Sequence, residues 1–369
     1  MSEEIQEALY SDDTASATGY KCPSCGAQMT FSPEKQALVC GHCGTEKEVD
    51  FSDDVRERSF EELFDSKPWN GEIKVVQCQN CGAKEVLDKN EISTKCPFCG
   101  SSSVLELSEV GGIKPDTAIP FKISEKQARG SCLKWIKSRF FSPSKFKKDV
   151  RLNEVKGCYC PVWTFDSDTV AVYSGRLGKH YTETRIVNGK TVTVTKTRYF
   201  NVSGQMRTMF DDIYVKGSEA VNEKYLQRIQ PYDMNTYVKY DDKMLAGYAA
   251  NHYTVEPLEA WQTAEARMKG YFRNEIVRKY NADEVASLSI SLMHQSRSFK
   301  YLMLPVYISA VNYKDKLYNQ YINGVSGKVA GSVPKSIVNV PLLMKIRSGC
   351  EGGGKGPLIQ RDKSAALSC

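Results

Sequence analysis

The sequence predicts an α+β protein in which two N-terminal four-cysteine zinc ribbons precede a mixed α+β domain. Two observations lead to this prediction. The motif C-x2-C-x14-C-x2-C occurs twice near the N-terminus, and the remaining chain combines two segments of helical periodicity with several β-rich runs. With 369 residues, 41% of them hydrophobic and 25% charged, the chain is long enough for a sizeable core outside the ribbons.

The two cysteine sets share one internal spacing and lie 56 residues apart: Cys22, Cys25, Cys40 and Cys43, then Cys78, Cys81, Cys96 and Cys99. Two residues between thiolates let one tight turn present both sulfurs to a metal about 2.3 Å away, and a 14-residue hairpin returns the second pair. Each set therefore predicts one structural Zn²⁺, two per chain. A glycine follows every cysteine pair, where the backbone must turn sharply, often with positive φ.

Two alternatives for these cysteines are less favoured. A disulfide framework suits secreted proteins, and we expect no secretory leader here. Redox C-x-x-C pairs come singly near a βαβ pattern, whereas four linked pairs occur in this chain. His42 lies inside one cysteine turn, but Phe98 stands at the equivalent position of the second ribbon, so we expect His42 to face solvent.

Composition divides the chain into seven segments. In order these are a disordered lead-in (1–19), zinc ribbon 1 (20–50), an acidic linker (51–74), zinc ribbon 2 (75–107), a linker with a basic helix (108–156), the α+β domain (157–345) and a disordered tail (346–369). Residues 1–66 carry a net charge of −10 and the remainder +16, so an acidic partner would meet the later part of the chain.

The basic helix begins at Ser124, which forms a capping-box pattern with Gln127, and ends at Ser142-Pro143. Its apolar line is Ala128, Cys132, Trp135, Ile136 and Phe140. The opposite face and the following loop are strongly basic, which is most often only a solvated surface. The residues that we expect to contact phosphate, in nucleic acid or lipid headgroups, are Lys134, Lys137, Lys145, Lys147, Lys148 and Arg151.

Within the α+β domain, Asn188-Gly189 between β-rich arms predicts a hairpin over Arg185–Lys196. Further predictions are a short helix near Lys243–Asn251, a longer helix over Pro257–Tyr280, and strands over Phe299–Ser309 and Lys316–Ala330. The segment Cys160-Pro161-Val162-Trp163 is echoed by Leu304-Pro305-Val306-Tyr307, which suggests duplicated β units.

Support for catalysis is weak. The four histidines lie in unrelated contexts, and neither H-E-x-x-H nor G-x-S-x-G occurs. Asn188-Gly189-Lys190-Thr191 resembles the end of a phosphate-binding loop, but Thr184 stands where that loop needs its first glycine. We therefore predict no enzyme activity and no small-molecule substrate. No apolar run reaches the roughly 18 residues of a membrane helix, so we expect a cytoplasmic protein.

The ordered set of motifs resembles a family of bacterial double zinc-ribbon proteins. Their ribbons are described as transcription-factor-B type, or as similar to the zinc-binding part of the primosomal replication-restart helicase. Besides the eight cysteines, the resemblance depends on Ile119-Pro120-Phe121, Pro161-Val162-Trp163, Leu245-Ala246-Gly247, Leu304-Pro305-Val306 and Asn323-Gly324-Val325-Ser326-Gly327-Lys328. It covers most of residues 20–335.

This resemblance implies a non-enzymatic accessory or scaffold protein, and some such proteins are similar to partners of membrane-stress systems built on phage-shock and stomatin-like proteins. The helicase label does not transfer, because no motor motif is present. Several proteins of this kind continue into a hydrophobic C-terminal span, whereas this chain has a polar tail. We predict an adaptor that docks a protein partner, with an anionic membrane surface at the inner membrane face as a further contact. The alternative is a nucleic-acid-binding accessory protein of replication or transcription, with weak, sequence-independent binding.

Overall fold

The structure, a computed structural model, has an α+β architecture, as predicted. It describes residues 20–52, 57–63, 74–87, 96–101, 104–107, 112–152, 155–232 and 236–335. The predicted lead-in and the predicted tail lie outside the described residues.

The elements are numbered in chain order. The strands are β1 (Met29–Ser32), β2 (Ala37–Cys40), β3 (Glu46–Glu48), β4 (Arg58–Ser59), β5 (Lys74–Cys78), β6 (Lys84–Leu87), β7 (Val104–Leu107), β8 (Thr117–Ala118), β9 (Lys156–Val187), β10 (Lys190–Lys216), β11 (Val238–Lys239), β12 (Ala249–Asn251), β13 (Glu284–Tyr313), β14 (Lys316–Asn323) and β15 (Val329–Gly331). The α-helices are α1 (Glu125–Lys137), α2 (Ser144–Leu152), α3 (Glu223–Ile229) and α4 (Pro257–Lys279), and the 3₁₀ helices are Phe60–Leu63 and Asp242–Leu245.

A very long hairpin forms the centre of the fold. β9 and β10 pair antiparallel from Val162 opposite Lys216 to Val187 opposite Lys190. The turn residues Asn188 and Gly189 have φ values of 51° and 72°, and both must be positive in a type I′ turn. The predicted hairpin is confirmed, although its strands are far longer than expected. The 32 residues of β9 span roughly 100 Å at about 3.3 Å per residue.

The main sheet extends from this hairpin to the second ribbon. Its strand order is β11-β8-β13-β9-β12-β6-β5-β7, with β10 paired to β9, and β14 and β15 following from β13. The two echoed segments are direct neighbours, because Cys160 on β9 lies opposite Leu304 on β13 in antiparallel register. Cys158 and Cys160 are fully buried in this part of the core, as the sequence suggests.

The helix α4 covers one face of the long strands and confirms the second predicted helix. Its predicted apolar line is buried along its whole length: Trp261, Ala264, Met268, Phe272 and Ile276. The last two pack with Ala171, Tyr173 and Leu177 of β9. This face of the sheet is therefore closed as far as α4 reaches.

Two local predictions are wrong. The basic segment forms two helices, since α2 begins at Ser144, where the Pro143 carbonyl accepts the first helical hydrogen bond from the Lys147 N–H, and Phe146 is buried against Tyr313 and Tyr318. As a result α1 ends at Lys137, and Phe140 lies outside it with 69% of its surface exposed.

The short helix expected near Lys243–Asn251 is also different. In that region a 3₁₀ turn covers Asp242–Leu245 and β12 occupies Ala249–Asn251. The short helix lies earlier in the chain as α3, which Asn222 caps by accepting a hydrogen bond from the Tyr225 backbone N–H. Among the helices that the structure describes, none is both long and apolar enough to cross a membrane.

Candidate metal centres

The structure brings each predicted cysteine set together. Within each set all four Sγ atoms lie within 4.8 Å of one another. Sγ to Sγ distances are 3.4 Å for Cys22 and Cys43 and 3.5 Å for Cys78 and Cys99. Four thiolates about 2.3 Å from one central Zn²⁺ would be roughly 3.8 Å apart, so both donor sets fit a tetrahedral zinc ion.

The four cysteine turns share one backbone design. The glycine N–H donates to the carbonyl of the first cysteine over 2.8–3.0 Å: Gly26 to Cys22, Gly44 to Cys40, Gly82 to Cys78 and Gly100 to Cys96. All four glycines have φ between 71° and 77°, where residues with a Cβ are strained. This agrees with the turn geometry expected from the sequence, and it directs both sulfurs of each pair inward.

The local environment also favours a thiolate in each set. Burial raises the pKa of Cys22 but the backbone N–H groups of Ser24 and Cys25 lower it, with a net value of about 6. The Cys96 thiol lowers the pKa of Cys81 to about 5. Thiolates are the species that bind Zn²⁺. His42 is exposed and stands outside the cysteine cluster, so the four sulfurs alone form the first donor set.

Ribbon 1, here residues 20–50, is fixed to the domain through motifs that carry the family resemblance. Its β1–β2 hairpin donates the Phe31 N–H to the carbonyl of Ala246 over 2.9 Å. Gln36 Nε2 donates to the carbonyl of Phe121 over 2.7 Å. The Phe121 ring stacks on Tyr248 with 4.2 Å between centroids. These motifs therefore form a packed junction between the ribbon and the domain.

Ribbon 2, here residues 75–107, is continuous with the main sheet. β6 pairs antiparallel with β12, and β12 pairs parallel with β9. On the other side, Asn319 Nδ2 donates to the carbonyl of Phe98 over 3.1 Å. Cys78 and Cys96 pack into the same core as Cys158. The second site is consequently held by strand pairing and by buried contacts.

The predicted basic residues lie on α1 and α2, which contact each other. Lys134, Lys137, Lys145 and Lys148 are exposed, Lys147 is half-buried, and Arg151 lies within α2. Between the helices, Phe140 and Phe141 make an edge-to-face pair with 5.5 Å between centroids. They line a groove of about 510 Å³ together with Trp135. Aromatic side chains therefore do accompany the basic cluster, contrary to the expectation that Phe140 faces the core.

A buried ion network is a feature that sequence reasoning missed. Lys300 is 5% exposed, and its Nζ lies 2.9 Å from Glu57 Oε1, 3.0 Å from Asp212 Oδ1 and 3.8 Å from Asp166 Oδ2. The Lys300 and Asp212 side chains are only 6% and 4% exposed, so their ion pair is buried. Burial raises the pKa of Asp166 to about 6. Glu57 and Lys300 are far apart in sequence, so no local signal could reveal the network.

A second arrangement has the order of a nucleophile, a base and an acid. Ser167 Oγ lies 3.0 Å from His294 Nδ1, and His294 Nε2 lies 3.3 Å from Glu265 Oε1. Ser167 is 1% exposed, and its hydroxyl donates to the carbonyl of Ser296. Acyl transfer needs a nucleophile that a substrate can reach, and the buried Ser167 does not meet this requirement. These contacts instead connect α4, through Glu265, with the two long strands.

Comparison with known proteins gives one similar protein and no family model. No family model matches the chain, and no solved structure matches it. The chain is similar to the uncharacterized protein YdjG of Bacillus subtilis (strain 168), with 28% identity over 347 residues that cover 90% of this chain and 94% of YdjG. Membership of the double zinc-ribbon family thus remains a prediction from the motifs.

Proposed function

We propose that the chain is a non-enzymatic zinc-binding adaptor whose ribbons dock a protein partner. The observation that carries the proposal is the completeness of the donor sets: four thiolates fill a tetrahedral zinc shell and leave no position for water or substrate. Such zinc stabilises a surface without activating a reactant. The mounting of both ribbons on the domain supports the same function, because a rigid surface loses less entropy on binding.

This proposal predicts a partner whose binding depends on zinc. Affinity purification of the full chain from native extracts, with mass spectrometry, should recover one protein in near-stoichiometric amount. Cys40→Ser or Cys96→Ser should lose it, because each breaks one donor set. Cys132→Ala is the matched control, since Cys132 is a buried thiol of α1 outside both sets. Recovery of no partner, or equal recovery with all variants, would contradict the adaptor proposal.

We further propose that the basic side chains of α1 and α2 hold the adaptor peripherally at an anionic inner membrane face. Each Lys or Arg near such a surface contributes about 1 kcal/mol. Reversing Lys145, Lys147 and Lys148 to Glu should therefore weaken binding to phosphatidylglycerol vesicles about 100-fold or more in a sedimentation assay.

The control for this experiment reverses three lysines elsewhere on the surface. Lys224→Glu, Lys239→Glu and Lys269→Glu change the net charge equally but lie outside α1 and α2. Zinc content and unfolding should stay unchanged in both triple variants. Vesicle binding that survives the α2 substitutions, or that falls equally in the control, would show that this surface is not the contact.

Nucleic-acid binding is the second candidate function, and the exposed Phe140 and Phe141 rings beside the basic cluster favour it. Phosphate attraction by six cations predicts an affinity for single strands that falls about 300-fold between about 50 and 200 mM salt. If bases stack on the rings, Phe140→Ala with Phe141→Ala should reduce the binding free energy by a further amount of about 1–3 kcal/mol for each stacked base. Fluorescence anisotropy with a single-stranded oligonucleotide measures both. Sub-micromolar, sequence-selective binding at physiological salt would make this the leading function.

A further inference from the structure

The far end of the long hairpin is a two-stranded arm, defined here as residues 179–198. β13 begins at Glu284, opposite Gly178, and α4 ends at Lys279, whose Nζ donates to Tyr173 OH over 3.1 Å. Among the strands that the structure describes, only β9 and β10 continue beyond this level, in register from Lys179 opposite Arg198 to Val187 opposite Lys190. Nine residues at about 3.3 Å each make the arm about 30 Å long.

The two faces of the arm differ sharply in chemistry. Residues opposite each other in an antiparallel pair share a face, and faces alternate along each strand. One face, the cationic face, carries Lys179, Tyr181, Glu183, Arg185, Val187, Lys190, Val192, Val194, Lys196 and Arg198. The other face carries His180, Ile186 and six threonines, and it has no lysine or arginine.

The cationic face is the continuation of the sheet face that α4 covers. Leu177 of β9 and Val202 of β10 are buried beneath α4 on that face. Past the end of the helix, the apolar side chains of the same face are exposed: Tyr181 by 42%, Val187 by 51%, Val192 by 42% and Val194 by 39%. These four side chains form an apolar stripe, and no helix among the described residues covers it.

The charges beside this stripe are mostly positive. Glu183 is the only carboxylate of the arm, and it pairs with Arg185 and Lys196. Arg198 lies over the Tyr181 ring at 5.5 Å from its centroid. The arm carries five cations and one anion, a net charge of +4 with His180 neutral, so two arms of separate copies would repel each other.

We infer that the cationic face of the arm binds an acidic amphipathic helix of a partner protein, lying in line with α4. The stripe would receive the apolar face of that helix, as Leu177 and Val202 receive α4, while the cations would meet its carboxylates. A length of about 30 Å matches about 20 helical residues at 1.5 Å each. The inference gives the proposed adaptor function a partner class.

The position of α4 favours a narrow ligand over a membrane on this face. An α-helix is about 10 Å across, so α4 projects from the sheet by about that distance next to the arm. A flat bilayer would meet α4 before it reached the exposed valines. A single helix fits beyond the end of α4, because it has the same thickness.

The test uses the zinc-loaded full chain and a labelled synthetic 20-residue peptide, with leucines at helical spacing and glutamates elsewhere. Anisotropy should show saturable binding. Val187→Thr with Val192→Thr and Val194→Thr keeps β-branched side chains, and it should weaken binding at least tenfold. Lys190→Gln with Arg198→Gln should weaken it severalfold and reduce its salt dependence. Amide hydrogen exchange over residues 179–198 checks that each variant retains the arm.

Matched controls decide between the possible ligands. Thr193→Val with Thr195→Val alters the opposite face and should leave the affinity unchanged, and a peptide with lysine in place of glutamate should not bind. Equal binding of both peptides, no effect of the valine substitutions, or a tenfold loss of phosphatidylglycerol-vesicle binding in the same valine variant would overturn the inference. The peptide needs only the arm, so its failure leaves the zinc-dependent partner test intact, and failure of that test leaves this result intact.

Discussion

Removal of zinc from the full chain is expected to unfold ribbon 1 and to loosen the cysteine turns of ribbon 2, and loss of one cysteine is expected to remove one of two zinc ions. Ribbon 1 has a very small core, in which Met29, Phe31 and Leu38 are the main apolar side chains besides two cysteines and Val49. Such a core cannot order its hairpins unaided, so the zinc site of ribbon 1 should contribute on the order of 10 kcal/mol to folding.

Metal analysis of the purified protein should therefore give two zinc ions per chain, and one for Cys40→Ser or for Cys96→Ser. Cys132→Ala should retain both ions, because Cys132 belongs to neither set. Hydrogen exchange should show lost protection only in the ribbon that carries the substitution. One equivalent or none in the unaltered chain would be incompatible with the two sites described above.

The substitution Lys300→Met is expected to destabilise the domain by about 3–5 kcal/mol, since it leaves buried carboxylates without their cation. Asp166 and Asp212 side chains are 12% and 4% exposed, and both lie within 4 Å of Lys300 Nζ. Burial lowers the pKa of Lys300, but Glu57 and the two aspartates raise it by a larger amount. The net pKa lies above the ordinary value of lysine, so the lysine is charged in the fold.

The pH dependence of this loss follows from the carboxylates. Burial raises the folded-state pKa of Asp166 to about 6, so its protonated form is stable in the fold below that value. The charge of Lys300 itself lowers the pKa of Asp166, so in Lys300→Met this carboxyl takes up its proton at a higher pH than in the unaltered chain. Protonation removes the uncompensated charge, and the deficit of Lys300→Met should shrink as pH falls from neutral towards about 6. Urea unfolding at several pH values measures this. Glu57→Gln is the control, and it should cost about 1 kcal/mol or less because Glu57 is 48% exposed. A deficit in Lys300→Met no larger than in Glu57→Gln would contradict this account.

Sequence reasoning succeeded where the determining interactions are local. The cysteine spacing predicted both donor clusters and the turns with positive φ, Asn188-Gly189 predicted the hairpin turn, and the apolar line of α4 predicted its buried face. In each case a few consecutive residues, or one helical period, specify the geometry.

The remaining features depend on contacts between distant parts of the chain. The length of β9 and β10 is set by pairing with each other and with β13, and alternation alone could not reveal where the strands end. Lys300 meets Glu57 across 243 positions of sequence. The α1 boundary was missed because Phe140 fits the helical period, although the chain leaves the helix after Lys137 and starts α2 at Ser144.

The adaptor account depends above all on two zinc ions with closed donor sets. Zinc X-ray absorption of the purified full chain tests this most directly, because the distances from zinc to its neighbours distinguish sulfur ligands from oxygen or nitrogen ligands. The account predicts two zinc ions per chain, each with four sulfur neighbours at about 2.3 Å. Oxygen or nitrogen neighbours at about 2.0–2.1 Å on either ion would indicate an open or mixed site and would contradict it.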